Sequence, residues 1–166
     1  MFLEVRTPFS EFLKYDPADC AALVAGFALG PKAGLTVVVL RNILRALLVK
    51  PDLIGLGMNT IAGVVFVASS AYFYGSRLSR KAAMQGLFLG GFAQILVCLP
   101  TAYVALSLYG FPLESRAGFV WAAILPFNVL KVTLNGFLTF WLYKSIATRL
   151  PRYRGGIFQS PKKNET

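Results

Sequence analysis

Residues 119–143 read FVWAAILPFNVLKVTLNGFLTFWLY, an apolar stretch with one cation, Lys131, near its middle. A bilayer core of about 30 Å is crossed by roughly 20 apolar residues in a helix, so this stretch is long enough to span. A lysine at that depth needs a reason. Uncompensated, it costs roughly 2.5–3.5 kcal/mol on the insertion scale, and ionisable residues inside membranes generally face a cavity, a ligand or a partner. No acidic residue is expected at its depth to neutralise it. On a helix, Asn128 lies one turn before Lys131 and Asn135 one turn after it, all on one face, with Phe127 beside them. A carboxamide, an ammonium and a second carboxamide on one stripe suit a flat ligand rich in carbonyl and ring-nitrogen groups. The plainer alternative is a lysine that snorkels to an interface or bonds a neighbouring carbonyl.

Composition puts the whole chain in the same setting. Of 166 residues, 56% are hydrophobic and only 14% charged. A soluble domain of this length needs more charge to cover its surface, so an integral membrane protein is expected. The net charge of +10 raises nucleic acid as a partner. However, the bases cluster at the ends of apolar segments and form no patch interleaved with aromatics. Cys20 and Cys98 lack CxxC spacing and histidine is absent, so zinc, haem and histidine acid–base chemistry are unsupported. Both cysteines are expected to be packing residues. Without a GxxxxGK[ST] loop, the chain cannot by itself draw energy from ATP.

Five apolar segments follow in order: a short one at Ala18–Gly30, then Lys32–Val49, Met58–Gly75, Ala82–Tyr109 and Phe119–Tyr143. The breaks fall at Pro51 with Gly55 and Gly57, at Ser76–Lys81, and at Gly110–Arg116. The expected architecture is all-α, an integral membrane helical bundle of about five transmembrane helices over residues 1–150. A basic cytoplasmic tail, expected to be solvated, occupies 151–166. Orientation follows from the bases. With Ser76–Lys81 and the tail inside, Lys32, Arg77, Arg80, Lys81, Lys144, Arg149, Arg152, Arg154, Lys162 and Lys163 are cytoplasmic, and only Arg6, Lys14, Lys50 and Arg116 are outside. Arg41, Arg45 and Lys131 fall within spans. Trp121 and Tyr109 then belong to the outer aromatic belt, Trp141 and Tyr143 to the inner one. Met1–Val5 reads as the last turn of an apolar helix rather than a signal peptide, so a truncated or misassigned start is expected.

Local strings add a family resemblance. Phe12-Leu13-Lys14-Tyr15-Asp16-Pro17-Ala18-Asp19, then Gly26-Phe27-Ala28-Leu29-Gly30-Pro31 with Gly34, Arg41-Asn42, Met58-Asn59 and Leu125-Pro126-Phe127-Asn128 with Lys131 fall in one order. Along nearly all its length the chain resembles the riboflavin-specific S components, the substrate-binding subunits of energy-coupling factor (ECF) transporters. The resemblance implies six helices in the intact form, of which only the end of the first is present here. It implies no enzyme activity and no cofactor, with riboflavin as a transported ligand bonded by Asn128 and Lys131. The implied partner is an energising module of two ABC ATPases and a transmembrane coupling protein, in the cell membrane, with the C-terminus cytoplasmic. Where the family often has Asn on the fifth helix, this chain has Thr101, which keeps one hydrogen bond but not a carboxamide's paired donor and acceptor. An S component for another vitamin is therefore the nearest alternative. A small membrane enzyme or assembly factor using Lys131 chemically is the alternative from another class.

The remaining candidates each carry two readings. Lys14, Tyr15 and Asp16 form a lid over an outward-facing pocket or an ordinary solvated loop. Asn59 is a helix cap or a polar pocket residue. Phe127, Tyr103 and Phe111 stack on a ring system or simply pack. Arg41 and Arg45 snorkel to the outer interface or line the ligand entrance. Gly86, Gly90 and Gly91 allow close helix packing or form a coupling surface.

Overall fold

The computed structural model describes residues 5–6, 14–15, 18–48, 52–77 and 79–149. Two short strands, β1 (Val5–Arg6) and β2 (Lys14–Tyr15), pair antiparallel, Val5 opposite Tyr15 and Arg6 opposite Lys14. Helices follow: α1 (Ala18–Leu29), α2 (Pro31–Leu48), α3 (Leu53–Gly75), α4 (Arg80–Leu108), α5 (Leu113–Phe119), a π-helical turn at Val120–Ile124, and α6 (Leu125–Arg149). The expectation of an apolar helical turn at Met1–Val5 is corrected at Val5, which is in β1; residues 1–4 lie outside the described residues. So does the tail at 151–166.

Among the described residues, three helices are long and apolar enough to cross a membrane: Leu53–Gly75, Arg80–Leu108 and the continuous run Leu113–Tyr143. The first two expected spans differ from these. Helix α1 has 12 residues, about 18 Å at 1.5 Å per residue, too short to cross a 30 Å core alone. Helix α2 carries Lys32, Arg41 and Arg45. The two make a tight hairpin. Gly30 sits at φ +96°, which an L side chain rarely adopts, and Pro31 then starts α2 with its φ already helical. A Cβ on Gly34 would meet the Ala22 carbonyl oxygen and the Gly26 Cα, each at 2.9 Å, so glycine there lets the helices close.

Two further boundaries depart from the sequence expectation. Helix α3 begins at Leu53, because the Asp52 carboxylate accepts from Ile54 N and Gly55 N, both at 3.1 Å, and satisfies the first turn. Gly55 and Gly57 are therefore inside the helix. Helix α4 closes in a Schellman arrangement, Phe111 N donating to Leu106 O and Gly110 N to Ser107 O, both at 3.0 Å, with Gly110 at φ +72°. The helix then resumes at Leu113, inside the expected Gly110–Arg116 break.

Buried apolar residues form two clusters. One joins Leu23, Phe27, Val38, Phe66, Val67, Tyr74 and Leu87; the other joins Ala102, Leu106, Val120 and Ile124. Helices α3 and α4 pack most extensively, because Gly86 and Gly90 admit the Ser70 carbonyl and hydroxyl. Gly91 admits Val132 of α6, so these glycines serve packing. Tyr143 is partly buried against the bundle: its ring lies 5.7 Å from Phe27 and 5.3 Å from Tyr74, and the two tyrosine hydroxyls bond each other.

Candidate functional site

A polar layer lies between the two apolar clusters. Along α6, Ile124 belongs to the second cluster, then Asn128, Lys131 and Asn135 are buried, and Val132, Phe140 and Tyr143 pack on the first. The same order recurs in reverse on α4, where buried Gln94 and Cys98 fall between Leu87 and Ala102. A buried polar layer is stable only where its groups find partners.

Those partners come from four helices. Lys131 Nζ lies 3.0 Å from Asp19 Oδ2 of α1 and donates to Asn59 Oδ1 of α3 at 2.7 Å. Arg41 of α2 pairs with the other oxygen, Asp19 Oδ1. Asn135 Nδ2 donates to Asp19 Oδ2 at 3.4 Å, and the Cys20 thiol donates to Asn135 Oδ1 at 3.3 Å. Asp19 is 1% exposed and Lys131 5%, so the centre of this joint is buried. One carboxylate between two cations leaves a net charge of +1. The expectation that no acid reaches Lys131 is thus corrected, since α1 brings Asp19 to it. Arg41 is corrected from an interfacial anchor to a member of the buried joint.

Among the described residues, the buried side-chain atoms with no protein partner are the donors Arg41 Nε and Nη2, Asn59 Nδ2 and Gln94 Nε2, the acceptor Asn42 Oδ1, and the hydroxyls of Ser70 and Thr139, which can do either. Leaving such groups unmade costs about 1–3 kcal/mol each, and a ligand supplying acceptors would recover part of that. The surplus is of donors. Two apolar grooves elsewhere, along Leu35–Ile43 and between Phe73 and Leu89, lie away from this layer and offer no charge to a polar ligand.

The structure brings together Lys131, Asn59 and, on the same helix face, Asn128 and Phe127. Asn128 Nδ2 donates to Ile124 O at 2.9 Å, at the π-helical turn just before Pro126, which has no N–H to give; such turns are frequent at functional sites. Phe127 is buried at 7% exposure. Asn59 is inside α3 and does not cap it, because Asp52 does. Thr101 is half-buried on α4, and its hydroxyl donates back to Val97 O at 2.8 Å and Cys98 O at 3.1 Å. Tyr103 is more exposed, with the Arg116 guanidinium 6.0 Å above its ring. Phe111 lies against Phe119, 5.3 Å between centroids. Lys14 and Tyr15 are on β2; Asp16 lies outside the described residues.

A family description, "ECF transporter, substrate-specific component", matches residues 2–143 of the chain. The chain belongs to this family. The riboflavin transporter RibU of Staphylococcus aureus (strain TCH60) is 30% identical, covering 91% of this chain and 84% of that protein. The riboflavin transporter FmnP of Bacillus subtilis (strain 168) is 31% identical, covering 73% of this chain and 70% of its own. A solved structure, the S component of a bacterial ECF transporter, superposes with a TM-score of 0.78 at 29% identity, covering 91% of this chain and 88% of that one. This S component is therefore a multi-pass membrane helical bundle of a transport system, and not an enzyme.

Asp19, Cys20 and Gln94 are the site neighbours that sequence reasoning did not place in the site, whereas Asn135 was already on the expected stripe. Asp19 carried a usable signal. Arg41 and Lys131 both fall within apolar segments, and Asp19, second residue of Ala18–Gly30, is the one acid inside any of the five segments. A buried cation selects for such a partner. Gln94 carried only its polarity inside an apolar run.

Proposed function

We propose that this S component captures riboflavin or a close flavin from outside the membrane and delivers it to an energising module of two ABC ATPases and a transmembrane coupling protein for ATP-driven uptake. The observation that carries this reading is the surplus of buried donors around Lys131. An isoalloxazine ring presents carbonyl oxygens and ring nitrogens along one edge, and Lys131, Asn59 and Asn128 supply ammonium and carboxamide groups to meet them. Phe127 gives an apolar wall beside that edge. The relatives named riboflavin transporters favour the same ligand. Thr101 and Tyr103 on α4, and a lid of Lys14, Tyr15 and Asp16, complete the proposed site. The C-terminus faces the cytoplasm in this reading, with the bases of the Ser76–Lys81 connection and the tail beside it.

Riboflavin fluorescence tests the proposal. Titration with the purified protein in detergent should quench it, and excess thiamine should not restore it. No quenching, with another vitamin binding instead, would assign the same bundle to that vitamin. Thr101 is the observation favouring this second reading, since its hydroxyl hydrogen already serves its own helix.

A further inference from the structure

We infer that Asp19 is a positioning residue for the ligand: its carboxylate holds the Lys131 ammonium at the substrate site with one N–H left to donate. The inference rests on the flavin reading of the same site and supplies a cause for its donor surplus. An ammonium has three N–H donors. Asp19 Oδ2 at 3.0 Å and Asn59 Oδ1 at 2.7 Å take two of them, and the third remains for a carbonyl oxygen. Without such a clamp a lysine stem is long and flexible, and reaches toward the nearest water.

Asp19 itself is occupied. Arg41 bonds Oδ1, while Lys131 and Asn135 share Oδ2, and the side chain is 1% exposed. It faces a donor at each oxygen, so its influence on ligand passes through Lys131 rather than through direct contact. Its own position is fixed by the fold. It lies in the first turn of α1, and the close approach of Gly26 to Gly34 and of Gly26 to Ala71 seats that helix against α2 and α3. The shared carboxylate also sets the sign of the site: because Arg41 takes part of it, a positive charge survives in the interior, and acceptor-rich ligands benefit.

Four proteins test this: the parent, D19N, K131M and the double variant D19N/K131M, each titrated with riboflavin in detergent and unfolded thermally. D19N should bind at least about tenfold more weakly, as should K131M. The double variant should bind like K131M if Asp19 acts on the ligand through Lys131 rather than through Arg41 or Asn135, its other partners. The double variant also restores the parent's net charge in the joint, so it should assemble even where D19N does not. A folded D19N that binds within about twofold of the parent overturns the inference. So does a further loss of about tenfold on adding D19N to K131M, or failure of both D19N and the double variant to fold. A parent that ignores riboflavin defeats the flavin reading alone. The coupling is then decided by unfolding temperatures, where losses that simply add for the two single variants overturn it.

Discussion

At the scale of single residues, the polar groups on α6 differ in what each can lose. K131M should leave a ligand oxygen desolvated without its donor, costing more than the roughly 1–3 kcal/mol of a neutral bond. N128A should cost within that range. Fluorescence titration of both variants, with circular dichroism to confirm folding, checks the ranking; normal folding with parental affinity would place these side chains outside the site. Lys131 was legible in the sequence because a charge inside an apolar run advertises its own cost. Asp19 was less so: its signal was weaker because it stands at the junction of a polar string and a short apolar segment, where an outer loop and a first helical turn look alike. Only the packing of α1 against α6 separates the two. Arg41 misled for a related reason: a long side chain on an apolar segment is free to snorkel, until a buried carboxylate gives it a nearer partner.

At the scale of helices, the order of segments was legible and their ends were not. Apolar runs announce helices, whereas ends are decided by capping groups a few atoms across. Asp52 shows this: two glycines shortly after it suggest a break, but its carboxylate secures the first turn of α3. D52A should destabilise that turn by about 0.5–2 kcal/mol, seen as a lower unfolding temperature. The same carboxylate accepts from the Tyr109 hydroxyl, tying the start of α3 to the end of α4. Burial first, and then the bond to Asp52 and its negative charge, push the Tyr109 phenol up from 10.0 to about 12. A raised folded value favours the protonated form, so this tie is complete below pH 10 and is lost as pH rises toward 12. The difference in tyrosinate absorbance between the parent and Y109F should therefore titrate near the higher value; a transition at the ordinary phenol value would mean that the tie does not form. Gly30, at φ +96°, makes a further case: G30A should cost about 1–2 kcal/mol and loosen the α1–α2 hairpin.

At the scale of the whole molecule, ligand and membrane supply what a small bundle lacks. Riboflavin at about 100 times its dissociation constant should stabilise the folded state by roughly 2.7 kcal/mol, raising the unfolding temperature in proportion to occupancy. A ligand that quenches but does not stabilise would be bound outside the bundle. Orientation should follow the bases: replacing Arg77, Arg80 and Lys81 by serine should lower the fraction of chains whose C-terminal reporter is cytoplasmic, and an unchanged fraction would shift that role to the tail. The buried joint also bears on biosynthesis. During translation α1 and α2 leave the ribosome well before α6, and Asp19 can meet Arg41 at once as a neutral pair that lipid accepts more readily than either ion alone. Lys131 emerges long afterward, in the last helix, and finds its counter-ion already engaged. Its arrival converts a pair into a triad, so a correctly assembled hairpin favours docking of α6. A chain whose hairpin fails strands a bare ammonium in the hydrocarbon, the kind of exposed defect by which membrane quality control recognises an unfinished protein.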